Sequence, residues 1–266
     1  MDRPTWAPQG IDLTKASAAR IYDYYLGGSH NFEVDREAGR RAVEILPELP
    51  KIMQANRAFI RDAVQQAAAS GITQFLDIGS GIPTFGNVHE VAQAAAPEAR
   101  VVYVDHDPVA VAHSQALLAD VPGATVVEAD LLRPKEILSR VEAAGLIDLD
   151  RPIALLLVAV LHFVEERDDP YTLVAQLRDA LAPGSMLVLS HASQDTRPEE
   201  AERIEQLYRH VGTPFVMRTK EQVERFFEGF EPDPGVCLIA QWGDNAQAAG
   251  DDPTRFSGYV GVGRKR

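Results

Sequence analysis

Phe75-Leu76-Asp77-Ile78-Gly79-Ser80-Gly81 is a short apolar run that closes on an acid and then on two glycines one residue apart. Glycines in that position let the backbone turn sharply and come close to a ligand. Starting from this run, Gln74–Ile78, four more short apolar runs follow at Arg100–Val104, Ala124–Glu128, Ile153–Val160 and Ser185–Ser190. Helix-patterned segments separate them at 87–96, 108–119, 134–143 and 170–182. Strand and helix alternating at this spacing predict an α/β fold, a mostly parallel sheet with helices on both faces. The uninterrupted runs suit its buried centre.

Toward the amino terminus the pattern is helical. Residues 12–26 stop at Gly27-Gly28 with Ile21, Tyr22, Tyr25 and Leu26 on one face. A second helix over 35–46 stops at Pro47, and a third follows Pro50 with Ile52, Phe59, Ile60, Ala63, Val64 and Ala67 as its apolar face. Toward the carboxyl terminus come helices at 198–210 and 219–228, then strand-like stretches at 235–241 and 256–263 around a polar loop over 243–253. Those two stretches predict an antiparallel hairpin at the sheet edge. The division expected is an N-terminal helical cap, 1–71, on a ligand-binding domain, 72–266, the two forming one compact unit.

The 266 residues carry a formal charge of −13, which argues against a protein whose task is to grip phosphate backbones. Arg36, Arg40 and Arg41 come nearest to a basic patch and read as a solvated helix face. Cys237 is the only cysteine, so intrachain disulfides and Cys-rich zinc sites are excluded. His89 and Glu90 are adjacent rather than at i and i+4, and no metal site is expected. MDRPTWAPQG lacks the apolar segment of a secretory signal. The longest apolar run, Ile153–Leu161, is far short of the roughly 18 residues of a membrane span. A cytoplasmic enzyme fits these features.

In an open parallel sheet, ligands sit at the carboxyl ends of the strands. Asp77 sets a carboxylate beside the Gly79-Ser80-Gly81 loop, where it would repel a pyrophosphate and suit an ammonium. Thr84 stands where the third glycine of a dinucleotide fingerprint would be, and Asn87 with Glu90 forms a capping box for a helix that starts late. Val101–Asp105 also ends in an acid, able to accept hydrogen bonds from ribose hydroxyls. His106 can lie against an adenine, while Asp107-Pro108 caps the next helix. Asp130 can accept from an adenine amino group with Leu131 on the ring, or else cap its own loop.

Acids at three successive strand ends, Asp77, Asp105 and Asp130, resemble the pattern of class I S-adenosylmethionine (SAM)-dependent methyltransferases over about residues 72–192. The resemblance implies a Rossmann-like seven-stranded sheet in the order 3-2-1-4-5-7-6 with the last strand antiparallel. It also implies S-adenosyl-L-methionine as methyl donor and S-adenosyl-L-homocysteine (SAH) as product. A closer resemblance reaches nearly the whole chain. Ala19-Arg20-Ile21-Tyr22-Asp23-Tyr24-Tyr25-Leu26-Gly27-Gly28, Asn31-Phe32, Asp35, Arg57-Ala58-Phe59, Gly81–Thr84, Asn87–Glu90 and Val102–Asp105 are similar to motifs of an actinomycete methyltransferase family long catalogued as a domain of unknown function. His106 departs from the Asn expected there. The family implies SAM binding and no particular acceptor.

Methyl transfer is an in-line displacement that depends on alignment and exclusion of water, and a base is needed only if the acceptor must lose a proton early. His162 and His191 follow the fourth and fifth apolar runs, where either can take a proton or merely bond a neighbouring loop. Tyr22 and Tyr25 pack in a core or close over a ligand, with Gly27-Gly28 as hinge. Asn56, on an apolar helix face, satisfies buried backbone or meets the SAM carboxylate with Arg57 beside it. Three readings stand open: a SAM-dependent methyltransferase acting on a small molecule, a non-catalytic SAM-binding module, and an NAD(P)-dependent oxidoreductase. A nucleic-acid acceptor is disfavoured by the charge and by Val158-Ala159-Val160-Leu161-His162, which replaces an Asn-Pro-Pro-Tyr motif. The oligomeric state is left open.

Overall fold

In the computed structural model the described residues are 7–8, 11–84, 86–245, 247, 250 and 252–266. Most of the opening decapeptide read as lacking a secretory signal, and part of the 243–253 loop, lie outside them. Five strands, β1 (Gln74–Ile78), β2 (Arg100–Asp105), β3 (Ala124–Glu128), β4 (Ala154–Val158) and β5 (Met186–Ala192), pair in parallel in the order β3-β2-β1-β4-β5. β6 (Phe230–Pro232) and β7 (Cys237–Leu238) both pair antiparallel with β8 (Gly258–Lys265), which lies antiparallel against β5. The order implied by the family resemblance is therefore present, with one short strand added.

Successive side chains of each strand face opposite sides of the sheet, so Phe75, Val101, Leu156 and Val188 join one buried cluster and Leu76, Val102, Leu155 and Leu187 the other. α3 (Leu49–Ala69) covers the first face with Phe59, Ala63 and Val64. α6 (Pro134–Ala144) and α7 (Pro170–Asp179) cover the second with Ile137, Val141 and Leu173. α4 (Val88–Ala95) and α5 (Pro108–Leu118) complete the crossovers. α1 (Ala18–Tyr25) and α2 (Glu33–Ile45) pack instead with α8 (Pro198–His210) in a third cluster of Ile21, Tyr25, Ala38, Ala42, Ile204 and Tyr208. No helix of the described residues is long and apolar enough to cross a membrane.

α1 is fastened by buried charge. The fully buried Asp35 accepts the backbone N–H of Ser17 (2.9 Å) and Phe32 (2.8 Å) and Nε of Arg20 (2.9 Å). Arg20 also donates to the carbonyl of Lys15 (2.6 Å) and, at 3.4 Å, to Asp107, which caps α5 through the N–H of Val109 (2.8 Å). Ser17 Oγ donates to the same Asp107 carboxylate. Asp23 receives the N–H of His30 (2.9 Å) and Nδ2 of Asn31 (2.7 Å). A Cβ at position 28 would stand 2.0 Å from an Asp23 oxygen, so Gly28 is dictated by packing.

Two expectations need correction. α1 begins only at Ala18, because Asp12 draws the N–H and hydroxyl of Thr14 (2.9 and 2.6 Å) into a local turn. The late hairpin is slighter than expected: only Cys237-Leu238 of the 235–241 stretch pairs, and Ile239–Gln241 winds into a 3₁₀ turn. The missed edge strand is β6. From Pro232 to Cys237 the edge takes five residue steps while β8 takes three, from Gly263 to Val260, so it bulges by two residues.

Because Asp35 neutralises a buried arginine, Asp35→Ala leaves Arg20 short of its partner and is expected to cost about 3–5 kcal/mol in urea unfolding. Arg40→Ala removes an exposed pair with Glu33 and is expected to leave the midpoint in place.

Candidate active site

The carboxyl ends of β1, β2, β4 and β5 open into a cavity of about 1350 Å³, mouth included, bounded by α1, α3 and α8. One end is polar, lined by Asp77, Gly79, Ser80, Gly81, Asp105 and His106 with Asn56 and Arg57 of α3. The other is apolar and aromatic, lined by Tyr22, Tyr25, Met53, Phe163, Tyr208 and Phe215.

At the polar end, Gly79 and Gly81 have φ of +76° and +68°, a region costly for other residues. A Cβ on Gly79 would lie 2.3 Å from Cγ2 of Val160, whereas the space at Gly81 is open. The loop is braced from beneath: Gly81 N–H donates to Oδ2 of Asp105 (2.7 Å), and Asp107 N–H to its Oδ1 (2.8 Å). Each carboxylate oxygen can accept more than one hydrogen bond, so Asp105 keeps capacity toward the cavity. The Asp77 carboxylate has no hydrogen-bond partner among the described residues. Burial pushes its carboxyl up to about 7, with Arg57 opposing the rise and Asp105 adding to it. Ser80 Oγ and Asn56 Oδ1 are buried without a partner among the described residues, while Asn56 Nδ2 donates to the Tyr22 hydroxyl (3.0 Å). Arg57 donates to the carbonyl of Gly86 (3.0 Å). His106 is largely exposed at the mouth, 3.9 Å from Asp105.

Asp130 and Leu131 do not reach the cavity. The Asp130 carboxylate accepts the N–H of Leu132 (2.9 Å), capping its own turn, and Leu131 is buried in the second core cluster.

His162 and His191 stand side by side, ring centroids 5.5 Å apart, with different duties. His191 Nδ1 donates to the Ala192 carbonyl (2.8 Å), and Nε2 accepts from Nη1 of Arg218 (2.9 Å). Burial pushes its pKa down to about 3, with Arg218 assisting. Both ring nitrogens are occupied, which corrects the expectation of His191 as a proton acceptor. His162 is 7 % exposed, and its Nδ1 has no hydrogen-bond partner among the described residues. Burial first, then His191 and Arg218, hold it well below the usual histidine range and hence neutral. Tyr25 meets the hydroxyl of Tyr208 at 3.3 Å, and burial raises it well above the ordinary tyrosine value, so it is a wall group and no base.

Sequence reasoning missed Arg218. It has no exposed surface, yet its guanidinium reaches Glu166 (2.9 and 2.8 Å), the carbonyls of Leu161 (3.0 Å) and Val164 (2.9 Å), and His191. It falls between the helices expected at 198–210 and 219–228, where no periodicity marks it. Ala159, at φ +53° beside the Gly79 loop, was equally invisible. Tyr208 was missed too, although its signal was there: Ala201, Ile204 and Tyr208 fall on one face of the helix expected at 198–210.

Arg218→Met strands His191 and two carbonyls in the interior, and an unfolding loss of about 3–5 kcal/mol is expected in urea. The pH dependence has two opposed parts. His191, folded near 3 and unfolded near roughly 6.5, binds more protons when unfolded, so its contribution to stability rises with pH across that window. Asp77, folded near 7 and unfolded near roughly 3.9, binds more protons when folded, so stability falls as pH rises from about 4 to 7. Asp77→Asn removes the second part, and the ligand-free variant is expected to outlast its parent in melts above pH 7 by on the order of 1 kcal/mol or more.

Among solved structures, the chain is similar to a DUF574 family protein from Streptomyces avermitilis, at 42% identity over 96% of this chain and 99% of that one, with a TM-score of 0.91. A candidate methyltransferase from Thermobifida fusca is 39% identical over 99% of this chain and 100% of that one, also at 0.91. An O-methyltransferase family protein from Burkholderia thailandensis shares the fold alone, at 11% identity and a TM-score of 0.54 over 91% of this chain and 63% of that one. No curated protein matches the chain. The oxidoreductase reading falls away, because residues 4–266 match the S-adenosyl methyltransferase family. The chain belongs to that family and is a methyltransferase dependent on S-adenosyl-L-methionine.

Proposed function

We propose that the chain transfers the methyl group by in-line displacement to a small molecule held in the apolar end of the cavity, and that it does so in the cytoplasm. One observation carries this: a single cavity connects the polar ends of β1 and β2 with the aromatic wall beside His162. When bound, SAM supplies an electrophilic methyl carbon on a cationic sulfur. The residues present suit such a cofactor. Asp77, buried and unpaired, accepts from an ammonium, whose charge returns the carboxyl to its ionised form. Asn56 has an unpartnered oxygen there and a committed amide nitrogen. It therefore suits the same ammonium better than the carboxylate first considered for it. Ser80 Oγ and the Arg57 cation suit that carboxylate. Asp105 takes the ribose hydroxyls on its remaining lone pairs, and His106 covers the adenine at the mouth.

At the other end, His162 offers a neutral imidazole that orients the acceptor and receives its proton as the new bond forms. Tyr22 and Tyr25 contribute walls that exclude water, strengthening each polar contact inside. Calorimetric titration tests the reading. SAH should bind at micromolar concentration, and Asp105→Ala should weaken it by about 1–3 kcal/mol, the cost of a lost charged acceptor. A titration silent up to millimolar SAH would refute it.

A further inference from the structure

We infer that the acceptor is an uncharged aromatic alcohol of the phenol class, its ring packed on the aromatic wall and its hydroxyl donated to His162. The inference rests on the methyltransferase reading and narrows its substrate.

The wall is continuous and comes from distant parts of the chain. Phe215 stacks on Tyr208 at 4.5 Å and meets His162 at 4.7 Å and Phe163 at 5.4 Å, while Tyr25 closes the far side against Tyr208. Aromatic side chains prefer a flat partner in offset or edge contact. The charge pattern narrows the choice further. Among the described lining residues, the ionic side chains Arg57, Asp77 and Asp105 all stand at the cofactor end. Arg218, behind the wall, commits its donors to Glu166, His191 and two carbonyls. A carboxylate or alkylammonium acceptor would be stripped of water with no counter-ion, which is strongly unfavourable. The acceptor body is therefore neutral.

His162 supplies the recognition. It lines the cavity and is more than nine-tenths buried; neither ring nitrogen has a hydrogen-bond partner among the described residues, Nδ1 is covered, and Nε2 is the one with surface to offer. A neutral imidazole has one nitrogen that accepts, so it calls for a group that donates a proton and carries a lone pair. A hydroxyl does both without charge. As the phenol oxygen bonds to the methyl carbon, the carbon–sulfur bond breaks and its electron pair stays on sulfur. The hydroxyl proton passes to His162 and on to solvent, leaving a neutral ether, a neutral thioether and a neutral imidazole.

The test separates this inference from the reading beneath it. SAH binding is measured first. With SAH saturating, 2-naphthol and 4-phenylphenol are titrated against the anion 2-naphthoate and the cation 2-naphthylmethylammonium. At least one phenol should bind ten-fold or more tighter than either ion, and Phe215→Ala should lose ten-fold or more of that affinity. With methyl-labelled SAM the label should appear on the phenol oxygen. His162→Gln, which keeps an acceptor atom but not a proton acceptor, should hold phenol affinity within a few-fold while turnover falls at least 100-fold. If SAH binds but an ion binds as well as the phenols, or bound phenol is never methylated on oxygen, the acceptor class is wrong and the methyltransferase reading stands. If SAH itself does not bind, both fall.

Discussion

A guanidinium without exposed surface must find partners inside the protein for five N–H groups, and Arg218 takes them from the loop after β4, from β5 and from Glu166 at the surface. Its own backbone is tied in as well: Ser193 pairs with it as an isolated bridge, and its carbonyl accepts the N–H of Gln194 (3.0 Å). The acceptor end of the cavity is thus shaped by a cation that stays behind the wall. Because the carbonyls of Leu161 and Val164 are held, His162 between them is held too. Because His191 gives its lone pair to Arg218, it cannot compete with His162 for a proton. Lysine, with three donors and no fork, could not substitute.

The cofactor end is braced by the same physics. Arg20 lies between Asp35 and Asp107, and Asp107 is two residues beyond the acid that anchors the glycine loop. Buried ion pairs contribute little net stability against well-packed apolar groups. They do tolerate few alternative arrangements, since a misplaced partner leaves a bare charge. Here they fix where α1 sits over the sheet, and with it Tyr22 and Tyr25.

The sheet was legible because parallel strands buried on both faces show as plain apolar runs, and β1 and β3 match their predicted bounds. The acids closing β1 and β2 were legible for the same reason: a strand end shows where a side chain must leave the sheet. Legibility failed where a residue's job depends on chain far from it. Nothing near Arg218 announces that Glu166, 52 residues earlier, will meet it. His162 follows β4 and His191 sits near the end of β5, and in the sequence the two look alike; only the arginine tells them apart. Asp130 followed the strand-end pattern of Asp77 and Asp105, yet β3 is the sheet's outer strand and Asp130 spends an oxygen on the N–H of Leu132. The edge strand β6 is three residues long and contains a proline, too little for any periodicity to register.

The order in which the molecule can be assembled follows from the sequence separations that its contacts must close, in the cavity wall and behind it. Tyr25 and Tyr208 are 183 residues apart, Ala55 and Asn245 190, Ser17 and Asp107 90. Closing such loops sacrifices chain entropy before any contact returns it, so folding dominated by these pairs is slow. The β1–β2 and β2–β3 crossovers span far shorter loops and can form while the wall is still open. A chain whose sheet has paired while the wall is open exposes that aromatic surface, the combination that invites aggregation. The rings that line the finished pocket are the ones a nascent chain most needs to keep from its neighbours.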